Sequence, residues 1–332
     1  MPPLEGTSDG SVAAGDAGDS PDEAGLTSPG RVGCAVESGM AAKIGYRPCV
    51  AIVGFLMRSC KLPSGAAMPI LGLGTWRMGE SARRRNDELD AIAHGLDLGY
   101  PMIDTAEMYG DGEAERIVGQ AITGRSQRPF IVSKVYPHNA SRHGTVAACE
   151  RSLKRLGRDH IDLYLLHWRG SARLAETFEA FHRLHEQGKI ADFGVSNFDH
   201  DDMADAAKLD NGLTASNQVL YCLSRRGPEF DLLPAMRERA IPLMAYSPLD
   251  QGGLLRKPAM VKLAEEAGCT PAQLALAWLL AQPGVVTIPK SASRERVKEN
   301  LGALDVTLSP DLLARLDRAF PPPRGRQPLE ML

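Results

Sequence analysis

The sequence predicts a (β/α)8 barrel, a TIM barrel, preceded by a short N-terminal hairpin and a disordered N-terminal extension. Three observations lead there. From Met68 onward, short apolar runs alternate with amphipathic stretches eight times. Each connection is long enough for a parallel crossover. The repeats fill Pro69 to Phe320, close to the ~250 residues typical of this architecture. A doubly wound sheet is the alternative, but it usually shows GxGxxG after its first strand. Here "GLGTWRMG" supplies Gly72 and Gly74 without the third glycine at that spacing.

Taken in order, "PILGLGT" is the first strand-like run, and a helix over Asp87–Leu98 follows with Leu89, Ile92, Ala93 and Leu96 on one face. "YPMID" precedes a helix over Ala114–Ile122, and "PFIVSK" precedes one over His143–Leu156. "HIDLYLLHW" leads to Ala175–Glu186, and "IADFGVSNF" to Met203–Leu209. "TASNQV" leads to Phe230–Arg239, "IPLMAYSP" to helices across Met260–Ala281, and "VVTIPKS" to Glu295–Leu301. A closing helix runs from Ser309 to Phe320.

Residues 1–56 are rich in Gly, Ala, Ser, Asp and Pro. They read as a disordered extension or a mis-called start, with the barrel domain at 57–332. Within them, Cys49–Met57 is apolar and follows Lys43 and Arg47, which resembles a poor signal peptide. Arg58 and Lys61 come straight after and no small-residue cleavage site follows, so secretion is not expected. The chain is 43% hydrophobic and 24% charged, ordinary for a soluble globular protein. A net charge of −3 offers no basic field for nucleic acid. No run approaches the ~20 apolar residues of a membrane helix. The cysteines at Cys34, Cys49, Cys60, Cys149, Cys222 and Cys269 form no CxxC pair, which fits free thiols in a reducing cytoplasm. With no exposed apolar stripe, a monomer or weak oligomer is expected.

The runs end on polar groups. In order they stop at Thr75-Trp76, Asp104, Ser133-Lys134, His167, Ser196-Asn197, Asn217-Gln218, Tyr246-Ser247 and Lys290-Ser291. In a parallel barrel all strand C-termini share one face, where active sites lie. Asp104, Tyr109, Lys134 and His167 together would make an acid device. A free phenol has a pKa near ~10, too weak to protonate a nascent alkoxide well. An adjacent ammonium is expected to lower it, and an aspartate to hold that ammonium in place. A histidine can hydrogen-bond the same substrate oxygen. Taken singly, a strand-end Asp is more often a cap or turn former, and a lone Tyr or His more often packing. Convergence on one face favours chemistry.

At the other rim, "IPKSASRERVKEN" places Lys290, Ser291 and Arg296 around a helix start, a phosphate-binding arrangement. Glu299 and Asn300 continue that helix. Its alternative is an ordinary exposed basic helix. Tyr246 offers a flat face for an aromatic ring, and Ser196, Asn197 and Gln218 suit a carboxamide. A metal-dependent hydrolase would need an HxH pair at a strand end, and none is present. His182 and His185 are spaced i, i+3 on a helix and are expected to face solvent without partners.

These residues lie in motifs that resemble those of the aldo-keto reductase family. They are "GLGTW", "IDTAEMYGDGEAERIVGQAI", "VSKVYP", "DLYLLHW", "GKIADFGVSNF", "SNQVLYCLSRR", "MAYSPL" and "IPKSASRERVKEN", in order from about Lys61 onward. "TAEMYGDGEAE", "SKVYPHNAS" and "LLHWRGS" are most similar to its small bacterial methylglyoxal and 2,5-diketogluconate reductases. The resemblance implies a barrel that binds NADPH without a Rossmann domain and reduces a small-molecule carbonyl substrate. It implies Tyr109 as proton donor, tuned by Lys134 and Asp104, with His167 orienting the carbonyl. It implies that Thr75, Trp76 and Asp104 border the cofactor. Ser196, Asn197 and Gln218 would hold the nicotinamide amide, Tyr246 would stack on its ring, and Ser247 and Leu249 would follow the pyrophosphate. Lys290, Ser291 and Arg296 would hold the 2′-phosphate, Glu299 and Asn300 the adenine. Trp76 and Trp168 would wall the substrate pocket beside Tyr109 and His167. The same resemblance extends to potassium-channel β subunits, so a non-catalytic barrel is the competing reading. The short loop "LDQGGLLRKP" predicts an open pocket with fast cofactor exchange. The short segment "PPPRGRQPLEML" predicts no substrate selection by a long tail loop.

Overall fold

The computed structural model of the protein describes residues 58–332, so the extension at 1–56 and the whole apolar run Cys49–Met57 lie outside the described residues. The expected hairpin is β1 (Ser59–Lys61) paired antiparallel with β2 (Ala67–Pro69), Ser59 opposite Pro69. Gly65 turns it at φ 89°, in the left-handed region open to glycine. Cys60, Leu62, Met68 and Ile70 from this hairpin pack into the same apolar cluster as the barrel interior and close one end of it.

Eight parallel strands follow: β3 (Leu73–Gly74), β4 (Met102–Asp104), β5 (Phe130–Val135), β6 (Ile161–Leu166), β7 (Ile190–Ser196), β8 (Thr214–Leu220), β9 (Leu243–Tyr246) and β10 (Val285–Thr287). Each pairs with the next in sequence. The first and last meet through bridges at Leu71–Thr287 and Gly74–Lys290, which closes the barrel and rules out the doubly wound alternative. The first strand is much shorter than the seven-residue run that predicted it. Pro69 ends the hairpin strand, and Pro289 has no N–H to give to the seam. The seam is held instead by Gly72 N–H to the Thr287 carbonyl, Gly74 N–H to the Pro289 carbonyl and Thr287 N–H to the Ile70 carbonyl, at 2.8–3.1 Å.

Helices follow each strand as expected: α1 (Arg85–Asp97), α2 (Glu113–Ile122), α3 (Arg142–Leu156), α4 (Leu174–Glu186), α5 (His200–Ala206), α6 (Leu232–Glu238), α7 (Pro258–Glu266), α8 (Pro271–Leu280), α9 (Arg294–Leu301) and α10 (Pro310–Ala319). The largest shift from the sequence reading is α5. It starts three residues early because Asp199 and Asp202 form a reciprocal capping box. Thr270 and Gln273 do the same for α8. His182 departs from expectation. It is half-buried, its Nε2 lies 3.2 Å from the Leu209 carbonyl, and its ring meets Phe193 edge-on. His185 is exposed as expected.

Strand parity then decides what faces the barrel axis. On β6, Leu163 and Leu165 join the interior cluster while Tyr164 and Leu166 face the helices. On β4, β5 and β9, Met102, Val132 and Met244 point inward. Two residues later, on the same face and at the open end, stand Asp104, Lys134 and Tyr246.

A Cβ at Gly74 would lie 2.7 Å from the Ile288 carbonyl oxygen, across the seam. Gly74→Ala should therefore lower the unfolding free energy by about 1–3 kcal/mol, the usual range for overpacking. Urea unfolding checks this, and an unchanged midpoint would show that the seam can part without loss.

Candidate active site

Asp104 ends β4 and Lys134 lies near the end of β5, both buried. The Lys134 Nζ donates to Asp104 Oδ1 at 2.8 Å and Oδ2 at 2.9 Å, to the Thr105 carbonyl at 2.8 Å, and to the Tyr109 hydroxyl at 3.3 Å. Gln218 Nε2 donates to the same Asp104 Oδ1 at 2.7 Å. Tyr109 opens a short turn in which Gly110 and Gly112 adopt positive φ. A Cβ at Gly110 would meet the Gly79 backbone at 2.7 Å, so only glycine lets this loop lie against its neighbour. That turn brings Tyr109 edge-on to His167, ring centroids 5.7 Å apart. The four residues expected to form an acid device thus do converge.

An ammonium has three hydrogens, and here four acceptors surround it. The carboxylate takes the closest contacts and the phenol the longest. The electrostatics follow. Burial first, and the Asp104 charge second, push the Tyr109 phenol well above its ordinary range. This runs against the expectation that Lys134 lowers it, because burial disfavours the phenolate and the Asp104 charge adds to that effect. Burial raises Asp104 against the opposing pull of Lys134 and Gln218. Burial lowers Lys134 against the opposing pull of Asp104. Burial, then the Lys134 charge, hold His167 well below the ordinary imidazole value, and its buried Nδ1 has no partner.

Around these groups lies a cavity of about 220 Å³. Trp76, Trp168, Ser196, Asn197, Gln218, Tyr246, Ser247 and Lys290 are among the residues that line it. Trp168 leans on His167 with ring centroids 4.8 Å apart. Asn197 bridges the wall: its amide donates to the His167 carbonyl at 3.1 Å and accepts from the Tyr246 hydroxyl at 2.9 Å. Asn197 and Ser247 both hold positive φ, at 59° and 47°. Non-glycine residues in that region cost about 1–3 kcal/mol each and persist where the surroundings over-determine them.

Some expected residues sit elsewhere. Thr75 is buried, its hydroxyl bonded to the Asp104 carbonyl at 3.0 Å, so it braces β4 rather than lining the cavity. Leu249 turns to the apolar clusters. Ser291 is engaged in its own turn with Ser293 at 3.1 Å, Arg296 is exposed and has no ion pair among the described residues, Glu299 is half-buried and Asn300 is buried. These four cluster on and before α9, next to Lys290 but outside the cavity lining. The short loop after β9, from which an open pocket with fast cofactor exchange is expected, has ordered structure of its own. It winds into two short turns, and Asp250 accepts from Ser224 at 3.0 Å and Arg225 at 3.4 Å.

The sequence reading missed Met108, Pro248 and Ile288 in the lining, and it did not place the segment after α10, read only as too short for a long tail loop, at the site: Met331 and Leu332 line the cavity. Two buried carboxylates were also overlooked. Glu107 accepts from the Tyr136 N–H at 2.9 Å and the Asn139 amide at 3.0 Å. Glu115 accepts from Ser133 and Arg155, both at 2.6 Å. They tie the loop carrying Tyr109 to β5 and α3. Their signal was present in "TAEMYGDGEAE", but acids near a helix start read equally as surface charges.

The Aldo/keto reductase family model matches residues 70–320. The chain belongs to that family. It is 48% identical over 272 residues to the methylglyoxal reductase YeaE of Escherichia coli, covering 80% of this chain and 96% of the relative. It is 34% identical over 278 residues to a glyoxal reductase of Bacillus subtilis, covering 83% and 98%. An aldo-keto reductase from Klebsiella pneumoniae, solved in complex with NADPH, superposes with a TM-score of 0.80 at 47% identity, covering 84% of this chain and all of that one. As a member of this family the protein is an oxidoreductase.

Removing one partner of a buried ion pair strands the other. Lys134→Met should cost about 3–5 kcal/mol of stability, and adding Asp104→Leu should recover more than half of it. Chemical denaturation of the single and double variants measures the coupling; equal losses in both would show that the charges do not depend on each other.

Proposed function

We propose that the protein is an NADPH-dependent reductase of small aldehydes, of dicarbonyls such as methylglyoxal, or of keto sugars, with Tyr109 as proton donor. The observation that carries this reading is the position of the Lys134 ammonium, between the Asp104 carboxylate and the Tyr109 hydroxyl beside a cavity with two tryptophan walls. The names of the relatives, methylglyoxal and glyoxal reductases, support the substrate class. The complex of the Klebsiella relative supports the cofactor.

The residues of this chain suit that cofactor. Lys290 lines the cavity, forms no ion pair among the described residues, and is held below the ordinary lysine value by burial. A partly buried cation without a counter-ion suits a phosphate. Arg296 likewise has no ion pair among the described residues and is exposed. In this reading Lys290, Ser291 and Arg296 hold the 2′-phosphate, with Glu299 and Asn300 toward the adenine. Ser196, Asn197 and Gln218 hold the carboxamide and Tyr246 the ring face. When bound, the cofactor supplies the hydride that reduces the carbonyl carbon.

The chain's own groups manage the oxygen. Tyr109 keeps its proton throughout the neutral range, because burial and Asp104 oppose its loss. As negative charge builds on the substrate oxygen, the phenol donates to it and the product leaves as an alcohol. The ammonium at 3.3 Å then partners the phenolate left behind. His167, kept neutral, can donate a hydrogen bond to the same oxygen without competing as an acid. The tryptophans exclude water from one side of the reacting carbonyl. The buried thiols Cys149 and Cys222 are in keeping with the reducing cytoplasm that the sequence predicts.

Loss of nicotinamide absorbance on mixing NADPH with methylglyoxal tests the activity. Tyr109→Phe should lower its rate by at least about 10²-fold while NADPH still quenches protein fluorescence. Full turnover in this variant would remove Tyr109 from the role. The pH dependence follows from the shifts. His167 gains a proton only well below its ordinary value, and Tyr109 loses one only well above its own. Reductive kcat/KM should therefore show no break between about pH 6 and pH 9 from either group. A break near the ordinary histidine value that vanishes in His167→Gln would overturn this.

A further inference from the structure

Directly after Tyr109, three consecutive residues hold positive φ: Gly110 at 55°, Asp111 at 55° and Gly112 at 84°. Such a run persists only where its surroundings over-determine it. Gly110 is braced by the Gly79 backbone. Gly112 is braced from α3. A Cβ there would lie 2.6 Å from Arg155 Nε, so the guanidinium packs directly on the main chain of the loop. Gly112 is also the N-cap of α2 and has no side chain with which to cap it.

The same guanidinium reaches the two buried carboxylates on either side of the tyrosine. Its Nε donates to Glu115 Oε2 at 2.6 Å. Its Nη2 lies 3.9 Å from Glu107 Oε2 and donates to Ser152 Oγ at 3.3 Å. Glu107 precedes Tyr109 in the chain and Glu115 follows it. The loop therefore folds around one side chain from another helix, paired at both ends and in contact at Gly112. The Arg155 side chain is 12% exposed, so water and salt screen these pairs little. A planar fork can serve two carboxylates at once, whereas a lysine ammonium is a single point.

Both carboxylates also return to the strand that carries Lys134. Glu115 accepts from the Ser133 hydroxyl, just before Lys134, at 2.6 Å. Glu107 accepts from the Tyr136 N–H, just beyond the end of β5, at 2.9 Å. The residues that bracket Tyr109 are thus bonded to residues that bracket Lys134, and Arg155 joins the two brackets.

We propose that Arg155 is a positioning residue of the reaction, the pin that fixes the Tyr109 hydroxyl against the Lys134 ammonium and the substrate oxygen. The proposal rests on the reductase reading. Arg155 does not line the cavity, so it acts through Tyr109. Proton donation needs the phenol within hydrogen-bond reach of the oxygen. A misplacement of about 1 Å can cost about 10²-fold in rate.

The test measures kcat and KM for methylglyoxal, with the number of NADPH-binding sites counted by fluorescence quenching. Arg155→Met should lower kcat per NADPH-binding site by about 10- to 10²-fold, with KM changed less than about threefold. A purely structural role would instead remove NADPH-binding sites in proportion to the lost rate. On the Tyr109→Phe background, Arg155→Met should cost less than about threefold more in single-turnover rate, because residues that act as a unit do not add. Arg151→Met removes an exposed cation 3.2 Å from Glu107 and leaves the pin, and it should change kcat less than about twofold. If thermal melting shows Arg155→Met unfolded, Gly112→Ala tests the same contact from the loop and should give the same loss per site. Unchanged kcat, a loss matched by lost NADPH-binding sites, a full further loss on the Tyr109→Phe background, or an equal loss in Arg151→Met overturns the pin. In those cases methylglyoxal turnover by the unaltered protein keeps the reductase reading. Failure of the unaltered protein to reduce methylglyoxal or any of a panel of small aldehydes overturns both.

Discussion

The Lys134 ammonium is fully enclosed and is kept charged by two contacts to Asp104 and one to the Thr105 carbonyl. Removing such a charge from water is costly unless close partners replace its hydration. Most of the surrounding architecture is what makes those partners available. Asp104 is held from two further sides, by Gln218 at its carboxylate and by Thr75 at its carbonyl. Glu107 and Glu115 fasten the segments before and after Tyr109. The contact left over, from Nζ to the Tyr109 hydroxyl, is the longest of the set. The phenol is therefore a donor held in reserve rather than a phenolate made stable in advance.

This arrangement depends on barrel closure. Strand parity sends Met102, Val132 and Met244 inward to fill the barrel, and two residues farther along sends Asp104, Lys134 and Tyr246 inward at its open end. A slip of one residue in any strand would turn its polar group toward the helices. Register is therefore the quantity that joins packing to chemistry. The apolar cluster that stabilises the interior also fixes where the charges stand. The positive φ at Asn197 and Ser247 lies where strands end and this regularity stops, along the cavity wall.

Much of the fold was legible in sequence because its signals are local. Apolar runs and helical periodicity report on a few neighbouring residues. The convergence of Asp104, Lys134 and His167 was legible because parallel topology places all strand ends on one face, and Tyr109 follows Asp104 closely enough to share it. Other placements could not be read this way. Thr75 directly after β3 and Leu249 in the loop after β9 turn away from the cavity, since side-chain direction depends on the packing each finds. Met331 and Leu332 lie in a stretch without periodicity, and nothing local tells where such a stretch is held. The ion pairs of Glu330 and Arg326 that hold it span more than 90 residues.

By itself, then, the sequence determined the alternation of strands and helices, the closed order of the barrel and the identity of the polar groups at its mouth. These follow from periodicity and residue type, which are properties of the chain read in order. The tertiary structure decided the direction of the tyrosine's pKa, the bracing of the buried pair by Glu107, Glu115 and Gln218, and the placement of Met331 and Leu332 at the cavity. Each of these depends on desolvation or on contact between residues far apart in the chain, and neither quantity exists until the chain has folded.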